Sequence, residues 1–223
     1  NQVKALVERI QSEHGRLDVL VNDIWAGDEL SEWDTPFWQQ CLEKGFLMLQ
    51  RAVHTHIITS HFAVPLMLES GQGLIVEVTD GDSHDYRGNF FYDLAKSSVI
   101  RMAYAMSEEL RKHRIAAIAV SPGWLRSEAM LDRFGVTETN WKEAINKDRH
   151  FAASESPLYV GRAVAAVHDD GLGGSGTLLP ERVAVMPDGA GVGSGFGGGN
   201  CAHASSVVGV PTSLLAVTTA PPI

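Results

Sequence analysis

Two residues in this chain have side chains and a spacing suited to acid–base chemistry. Tyr92 and Lys96 lie four residues apart in a stretch with helical periodicity, so their side chains share one face of a helix. A free tyrosine hydroxyl has a pKa of ~10 and is a poor base at neutral pH, but a nearby cation stabilises the phenolate and lowers that pKa. The spacing therefore predicts a site at which Tyr92 exchanges a proton with a substrate and Lys96 lowers the pKa of Tyr92.

The elements that must position this pair alternate between helix and strand. Apolar residues recur at helical spacing in the longer stretches, and short runs rich in leucine and β-branched residues lie between them. Such alternation predicts an α/β fold built on a parallel sheet. The predicted helices are 2–14, 36–53, 57–69 with a break or kink near Pro65, 91–113, 137–147 and 156–168, and the predicted strands are 17–21, 74–79, 115–121 and 182–186.

Polar and glycine residues follow these strands, at the edge where open α/β sheets bind ligands. Together with Tyr92 and Lys96 they resemble the short-chain dehydrogenase/reductase family over about residues 2–168. The family's Asn-Asn-Ala-Gly motif is matched by Asn22, Asp23, Ala26 and Gly27, with Ile24 and Trp25 inserted between the two halves. Its Tyr-xxx-Lys motif is matched by Tyr92 and Lys96, after the strand start Gly73-Leu74-Ile75-Val76. Its Pro-Gly pair and the hydroxyl that follows are matched by Pro122, Gly123 and Ser127.

The resemblance implies a three-layer, Rossmann-like, doubly wound parallel sheet that lacks the first β-α-β units. It further implies an oxidoreductase that interconverts a carbonyl and an alcohol by hydride transfer with NAD or NADP. Tyr92 would be the general acid and base, and Lys96 would bind the nicotinamide ribose. A homodimer or homotetramer is implied, formed by the helices around 36–60 and 92–113. The implied cofactor-binding residues are Asn22, Gly27, Tyr92, Lys96, Pro122, Gly123 and Ser127.

Other positions depart from the family's pattern. Its substrate-binding serine aligns with Asp80, whose carboxylate only accepts hydrogen bonds, so the neighbouring Thr79 and Ser83 are alternative hydroxyl donors. Its proton-relay asparagine aligns with Lys44 or Gly45. We therefore retain a second hypothesis, in which the chain is a non-catalytic binding or oligomerisation module with the same fold. Four tryptophans near the strand ends are candidates to line a substrate cleft, although aromatic residues are more often core: Trp25, Trp33, Trp38 and Trp124.

The sequence divides into a core region, 1–168, and a glycine-rich tail, 169–223. Within the core, residues 124–150 follow a strand end and are predicted to be a substrate lid. The tail is poor in charge and lacks helical periodicity, which favours disorder, an unselected extension or a shifted reading frame. Its Gly193, Gly195 and Gly198 fit GxGxxG, but no amphipathic helix follows. Since the family's phosphate-binding turn precedes the first predicted helix, we expect the chain to be part of a longer one.

Charge and composition exclude several classes of protein. The net charge of −9 argues against a nucleic-acid partner, because such binding needs clustered basic residues. Neither the two cysteines nor His54, His56 and His61 have the spacing of a metal site, so no metal is predicted. The sequence contains no apolar run as long as a membrane span and no leader pattern at its start. These features predict a cytoplasmic protein that acts on a small molecule.

Overall fold

The computed structural model describes residues 2–80 and 86–168, together with the strands Val183–Val185 and Leu214–Val217. Helices and strands alternate as expected. The helices are α1 (Gln2–His14), α2 (Leu42–Leu49), α3 (Thr55–Ser70), α4 (Phe90–Leu110), α5 (Glu128–Phe134) and α6 (Pro157–Val167). The strands are β1 (Val19–Asn22), β2 (Gly73–Val78), β3 (Ile115–Ser121), β4 (Val183–Val185) and β5 (Leu214–Val217).

The strands form one parallel sheet in the order β4-β3-β2-β1-β5. Parallel pairing brings the carboxyl ends of β1, β2 and β3 to the same edge. In the register, Asn22 on β1 lies opposite Glu77 on β2, and Val78 lies opposite Val120 on β3. The loops that carry the predicted site residues therefore leave the sheet side by side.

The sheet is covered on both faces by apolar residues. Leu20 and Ile75 pack with residues of α1 and α3 in one cluster, whereas Val19 and Val76 pack with Val164 of α6 in another. Successive strand residues point to opposite faces, so burial on both sides explains why these strands are almost wholly apolar. This arrangement confirms the predicted three-layer α/β architecture. None of the described helices is long and apolar enough to cross a membrane.

The predicted helix 36–53 was wrong in detail. A 3₁₀ turn, Phe37–Gln39, is followed by an extended residue, Gln40, and α2 begins only at Leu42. A side chain from an earlier loop stabilises this new start, because a carboxylate oxygen of Glu32 accepts a hydrogen bond from the Cys41 amide at 2.8 Å. Gln50–His54 is then a π-helical turn that leads into α3. Helix α3 is continuous through Pro65, so of the predicted break or kink the break does not occur.

The region after β3 also differs from expectation. Helix α5 was not predicted, and the predicted helix 137–147 is a 3₁₀ helix, Trp141–Asn146. These turns pack around a small apolar cluster that contains Val136 and Phe151. The predicted strand 182–186 is confirmed as β4, but β5 was missed. The rest of the tail, including Gly193, Gly195 and Gly198, lies outside the described residues, and the division at residue 168 stays a prediction.

Gly45 on α2 lies directly against the Phe91 ring on α4. A Cβ at this position would overlap the ring of Phe91 on α4, whereas a Cβ at Gly161 on α6 would meet nothing within 4 Å. We expect Gly45→Ala to lower the free energy of unfolding by ~1–3 kcal/mol through overpacking. Gly161→Ala is the matched control and should raise it by ~1 kcal/mol, since alanine favours a helix. Urea unfolding of both variants measures the difference, and equal stabilisation by both would contradict this packing.

Candidate active site

Tyr92 lies in the first turn of α4, next to the carboxyl end of β2. Asn89 caps this helix, because its side-chain oxygen accepts a hydrogen bond from the Tyr92 amide at 3.0 Å. The Asn89 side-chain nitrogen in turn donates to the backbone oxygen of Glu32 at 3.0 Å. The cap therefore fixes the start of α4 against the loop that precedes α2, and with it the position of Tyr92.

The Tyr92 hydroxyl donates a hydrogen bond to a carboxylate oxygen of Asp80 at 2.7 Å. Two indole rings enclose the phenol. The Trp25 ring meets it edge to face with centroids 5.3 Å apart, and the Trp33 ring is tilted against it at 5.2 Å. Trp33 is also 48% exposed, so it forms a wall of the site that solvent can reach. Of the four tryptophans proposed to line a cleft, Trp25 and Trp33 contact Tyr92.

Lys96 follows Tyr92 by one helical turn and is oriented by the same tryptophan. Its Nζ lies 4.0 Å from the centroid of the Trp25 ring and 5.5 Å from that of the Tyr92 ring. The Trp25 indole nitrogen donates to Asp28 at 2.8 Å, which holds the ring in place. A cation over an indole face is a favourable contact. The structure thus brings together Tyr92, Lys96 and Asp80, as the sequence predicts.

The predicted lowering of the Tyr92 pKa was wrong for this arrangement. Burial raises the pKa of Tyr92 well above its usual range, and the negative charge and hydrogen bond of Asp80, with the charge of Asp28, raise it further. The positive charge of Arg87 opposes this only in part. The phenol must lose its proton beside an existing carboxylate, and this repulsion together with the loss of water outweighs the nearby cations. Tyr92 is therefore protonated at neutral pH.

Burial also shifts the other titratable groups around the site. It lowers the pKa of Lys96 despite the favourable charges of Asp80, Asp23 and Asp28. It raises the pKa of the Asp23 carboxyl, and Lys96 and His56 offset that shift in part. In both cases loss of solvent around the charged form is the largest cause. The site is a confined region in which one ammonium group faces several carboxylates.

Thr79, the alternative hydroxyl donor, binds the backbone of α4. Its side chain is buried and donates to the backbone oxygen of Lys96 at 2.9 Å. This bond joins the end of β2 to α4 at the turn that carries Lys96. Ser83, the third alternative, lies outside the described residues.

Arg87 is a site residue that the sequence analysis missed. Its guanidinium donates to the backbone oxygen of Asp80 at 2.7 Å, to the carboxylate of Asp93 at 2.9 Å and to the Ser97 hydroxyl at 3.2 Å. The side chain is only 7% exposed. Arg87 therefore ties the Asp80 backbone to the first turns of α4. No spacing rule indicates this role, because Arg87 and Asp80 are seven residues apart and share no helix or strand.

The other predicted cofactor residues have different surroundings. Asn22 is fully buried, and its side-chain nitrogen donates to Glu77 at 2.8 Å and to Ser60 at 3.0 Å. Ser127 caps α5 by accepting a hydrogen bond from the Met130 amide. A Cβ at Gly27 would lie 2.5 Å from the Trp25 ring, so only glycine fits there. Gly123, which follows Pro122, has a positive φ of 67° and open space where a Cβ would be.

Comparison with known proteins agrees with this fold. The family model for short chain dehydrogenases matches residues 1–135. Mouse dehydrogenase/reductase SDR family member 1 is 30% identical over 188 residues, which cover 81% of this chain and 60% of that protein. The human protein of the same name is 28% identical over 81% of this chain and 60% of its own length. The chain therefore belongs to the short chain dehydrogenase family, and it spans about 60% of the length of these relatives.

Solved structures show the same architecture. Acetoin dehydrogenase from Enterobacter cloacae superposes with a TM-score of 0.60 and 25% identity, covering 79% of this chain and 67% of its own. The structure of ElxO with NADP bound superposes with a TM-score of 0.61 at 20% identity, covering 73% and 64% respectively. At that identity, the likeness to ElxO shows the fold alone.

The buried charge of Lys96 has a consequence for stability. Because its pKa is lowered on folding, the folded chain holds this proton less tightly than the unfolded chain, so the charge opposes folding at neutral pH. We expect Lys96→Met to raise the free energy of unfolding at neutral pH, and we expect the gain to shrink as the pH rises toward 10.5, the unperturbed pKa. Chemical unfolding across this pH range measures both effects.

Lys44→Met is the matched control for this prediction. Lys44 forms an exposed ion pair with Glu32 at 3.3 Å, so its loss should cost ~0–1 kcal/mol. A Lys96→Met variant less stable than the parent at neutral pH would show that the charge of Lys96 stabilises the fold.

Proposed function

We propose that this chain is part of an NAD(P)-dependent oxidoreductase that interconverts a small-molecule carbonyl and an alcohol. Tyr92 exchanges the proton with the substrate oxygen, Lys96 binds the nicotinamide ribose, and Asp80 takes the position of the family's serine. The observation that carries the proposal is the hydrogen bond of 2.7 Å between Tyr92 and Asp80, one helical turn from the enclosed Lys96 ammonium. The choice between NAD and NADP is left open.

The residues present fit the nicotinamide end of such a cofactor. Lys96 supplies an ammonium donor for ribose hydroxyls, and Gly123 leaves open space beside the end of β3. Among the described residues, the buried side-chain oxygen of Asn22 has no hydrogen-bond partner and can accept from a hydroxyl. Pro122 and Ser127, which follow the carboxyl end of β3, complete the set. When bound, the nicotinamide supplies or accepts the hydride.

The orientation of the Tyr92 proton supports a relay. Because the Tyr92 hydroxyl donates its proton to Asp80, the lone pairs of the Tyr92 oxygen are free to accept a hydrogen bond from a substrate hydroxyl. In alcohol oxidation Tyr92 accepts the substrate proton while its own proton passes to Asp80, so one negative charge is lost from Asp80 and none is created on Tyr92. In carbonyl reduction the protonated Asp80 returns the proton through Tyr92. This route avoids a phenolate next to a carboxylate, which the raised pKa of Tyr92 disfavours.

The remaining residues of the site position this relay. Arg87 holds the Asp80 backbone, and Thr79 fixes the turn of α4 that carries Lys96. Trp33 presents a half-exposed aromatic wall beside Tyr92, where a planar or apolar part of the substrate can pack.

The second candidate function is a binding or oligomerisation module without catalysis. Asp80 favours it, because an ionised carboxylate cannot donate to a carbonyl oxygen. A cluster of exposed aromatic side chains on and near α2 and α4 also favours it, since this is where a second subunit is expected. The cluster consists of Phe37, Trp38, Phe46 and Phe90.

Tyr92→Phe tests the proton-transfer role in the full-length protein that the gene encodes. The variant keeps the aromatic packing and loses only the hydroxyl, so kcat/KM for NAD(P)H-dependent carbonyl reduction should fall by ~10²–10⁴. Tyr104→Phe, on the same helix, is the matched control and should keep the parent's rate. Unchanged reduction by Tyr92→Phe across a broad substrate panel would remove Tyr92 from the mechanism.

Substitutions of Asp80 separate the two candidate functions. Asp80→Asn keeps an acceptor for the Tyr92 hydroxyl but cannot take its proton, so we expect kcat to fall by ~10²-fold at neutral pH. Asp80→Ser restores the family's donor. An active parent impaired by Asp80→Asn supports the relay. An inactive parent that fails to bind NAD or NADP in titration calorimetry supports the non-catalytic module, and Asp80→Ser should then be inactive as well.

A further inference from the structure

A group of polar side chains is buried between β1, β2 and α3, directly behind the site. Glu77 and Asn22 have no exposed surface, and His56 and Ser60 are 1% and 4% exposed. The proton relay between Tyr92 and Asp80 does not use them. Ionisable residues are seldom buried this deeply unless hydrogen-bond partners surround them.

Both ring nitrogens of His56 face hydrogen-bond acceptors. Nε2 lies 3.0 Å from the backbone oxygen of Ile24, and Nδ1 lies 2.5 Å from a carboxylate oxygen of Glu77. A backbone oxygen only accepts, so Nε2 must carry a proton. The other carboxylate oxygen of Glu77 accepts from Asn22 at 2.8 Å and from Ser60 at 3.4 Å. The Glu77 carboxyl group therefore binds Nδ1 of His56, while Nε2 of the same ring donates to Ile24.

His56 connects this buried group to the active site through the backbone. Ile24, whose oxygen His56 holds, directly precedes Trp25 in the loop after β1. Trp25 in turn packs on the ring of Tyr92 and beneath the ammonium of Lys96. The charged groups facing His56 are Glu77, from β2, and Asp23, from the loop after β1. Displacement of the Ile24 carbonyl would therefore displace the ring that orients Lys96.

We propose that His56 is a positioning residue for the active site. Glu77 binds its Nδ1, and Nε2 donates to the Ile24 carbonyl so that Trp25 holds Lys96 against Tyr92. Stability alone does not account for the pair, because apolar residues of equal volume are often as stable as a buried ion pair. The proposed consequence for catalysis rests on the proposed function, but the effect on the Trp25 loop does not.

Two substitutions of His56 isolate the bond to Ile24. A glutamine amide reaches approximately as far as Nε2, and an asparagine amide approximately as far as Nδ1. Each is made together with Glu77→Gln, so that neither variant leaves an unpaired buried carboxylate. His56→Gln can then still donate to Ile24, whereas His56→Asn cannot. Glu77→Gln alone is the reference for both double variants, because a neutral His56 can still donate from Nε2 to the Ile24 carbonyl.

The readout is the rate at which an amine-reactive reagent modifies Lys96, measured by peptide mapping in the full chain without cofactor. With Glu77→Gln as the reference, we expect His56→Asn to raise this rate about fivefold, as the loss of one hydrogen bond predicts. His56→Gln should stay within about twofold. Modification of the exposed Lys4 should be equal in all variants and serves as the internal control. Urea unfolding verifies that each variant is folded.

The outcomes separate the proposal from the proposed function. Equal Lys96 modification in folded His56→Asn and His56→Gln variants would overturn the positioning role. If the His56→Asn variant does not fold, the Trp25→Ala variant is compared with the His56→Gln variant instead. If Lys96 is then modified as slowly in Trp25→Ala as in the unsubstituted chain, the proposal is overturned. Where the full-length protein is active, His56→Asn should lower kcat more than it raises KM. Faster Lys96 modification in a protein without any reductase activity would support the positioning role and contradict the proposed function.

Discussion

The parallel pairing of β2 between β1 and β3 is the constraint on which the site depends. It places the carboxyl ends of the three strands at one edge, so the loop after β1, Asp80 after β2 and Gly123 after β3 lie at the same edge. Strand β2 is buried on both faces over most of its length, which fixes its register, since a shift by one residue would exchange its two faces. Asp80 can meet Tyr92 only because this register and the capped start of α4 are both set.

Two carboxylates, Glu77 in strand β2 and Asp80 just after it, have different partners. Glu77 points into the molecule, where His56, Asn22 and Ser60 satisfy it. Asp80, three residues later, lies past the end of the strand and accepts from Tyr92. The loop of Trp25 connects the two, because its backbone is bound by His56 and its ring packs on Tyr92 and Lys96. The buried Glu77 group and the active site are thus connected through the backbone of Ile24 and the ring of Trp25.

The sequence predicted those parts of the site that follow from local spacing. Tyr92 and Lys96 are four residues apart on one helix, so their proximity needs no knowledge of the rest of the fold. Asp80 followed from its position at a strand end. Arg87, Trp25 and the pair of Glu77 with His56 could not be assigned in this way, since their partners come from different elements. The start of α2 was misjudged for the same reason, because the carboxylate of Glu32, a side chain from outside the helix, stabilises it.

The sign of the Tyr92 pKa shift shows why spacing alone is insufficient for the chemistry. Tyr-xxx-Lys spacing predicts a lowered pKa if the lysine charge is the dominant influence. In the structure burial is the largest influence, and the Asp80 carboxylate adds to it in the same direction. A carboxylate at position 80 therefore makes a Tyr92 phenolate costly. In the proposed function, a proton transfer in which Tyr92 remains neutral is the less costly route, because Asp80 takes up the proton that Tyr92 passes on.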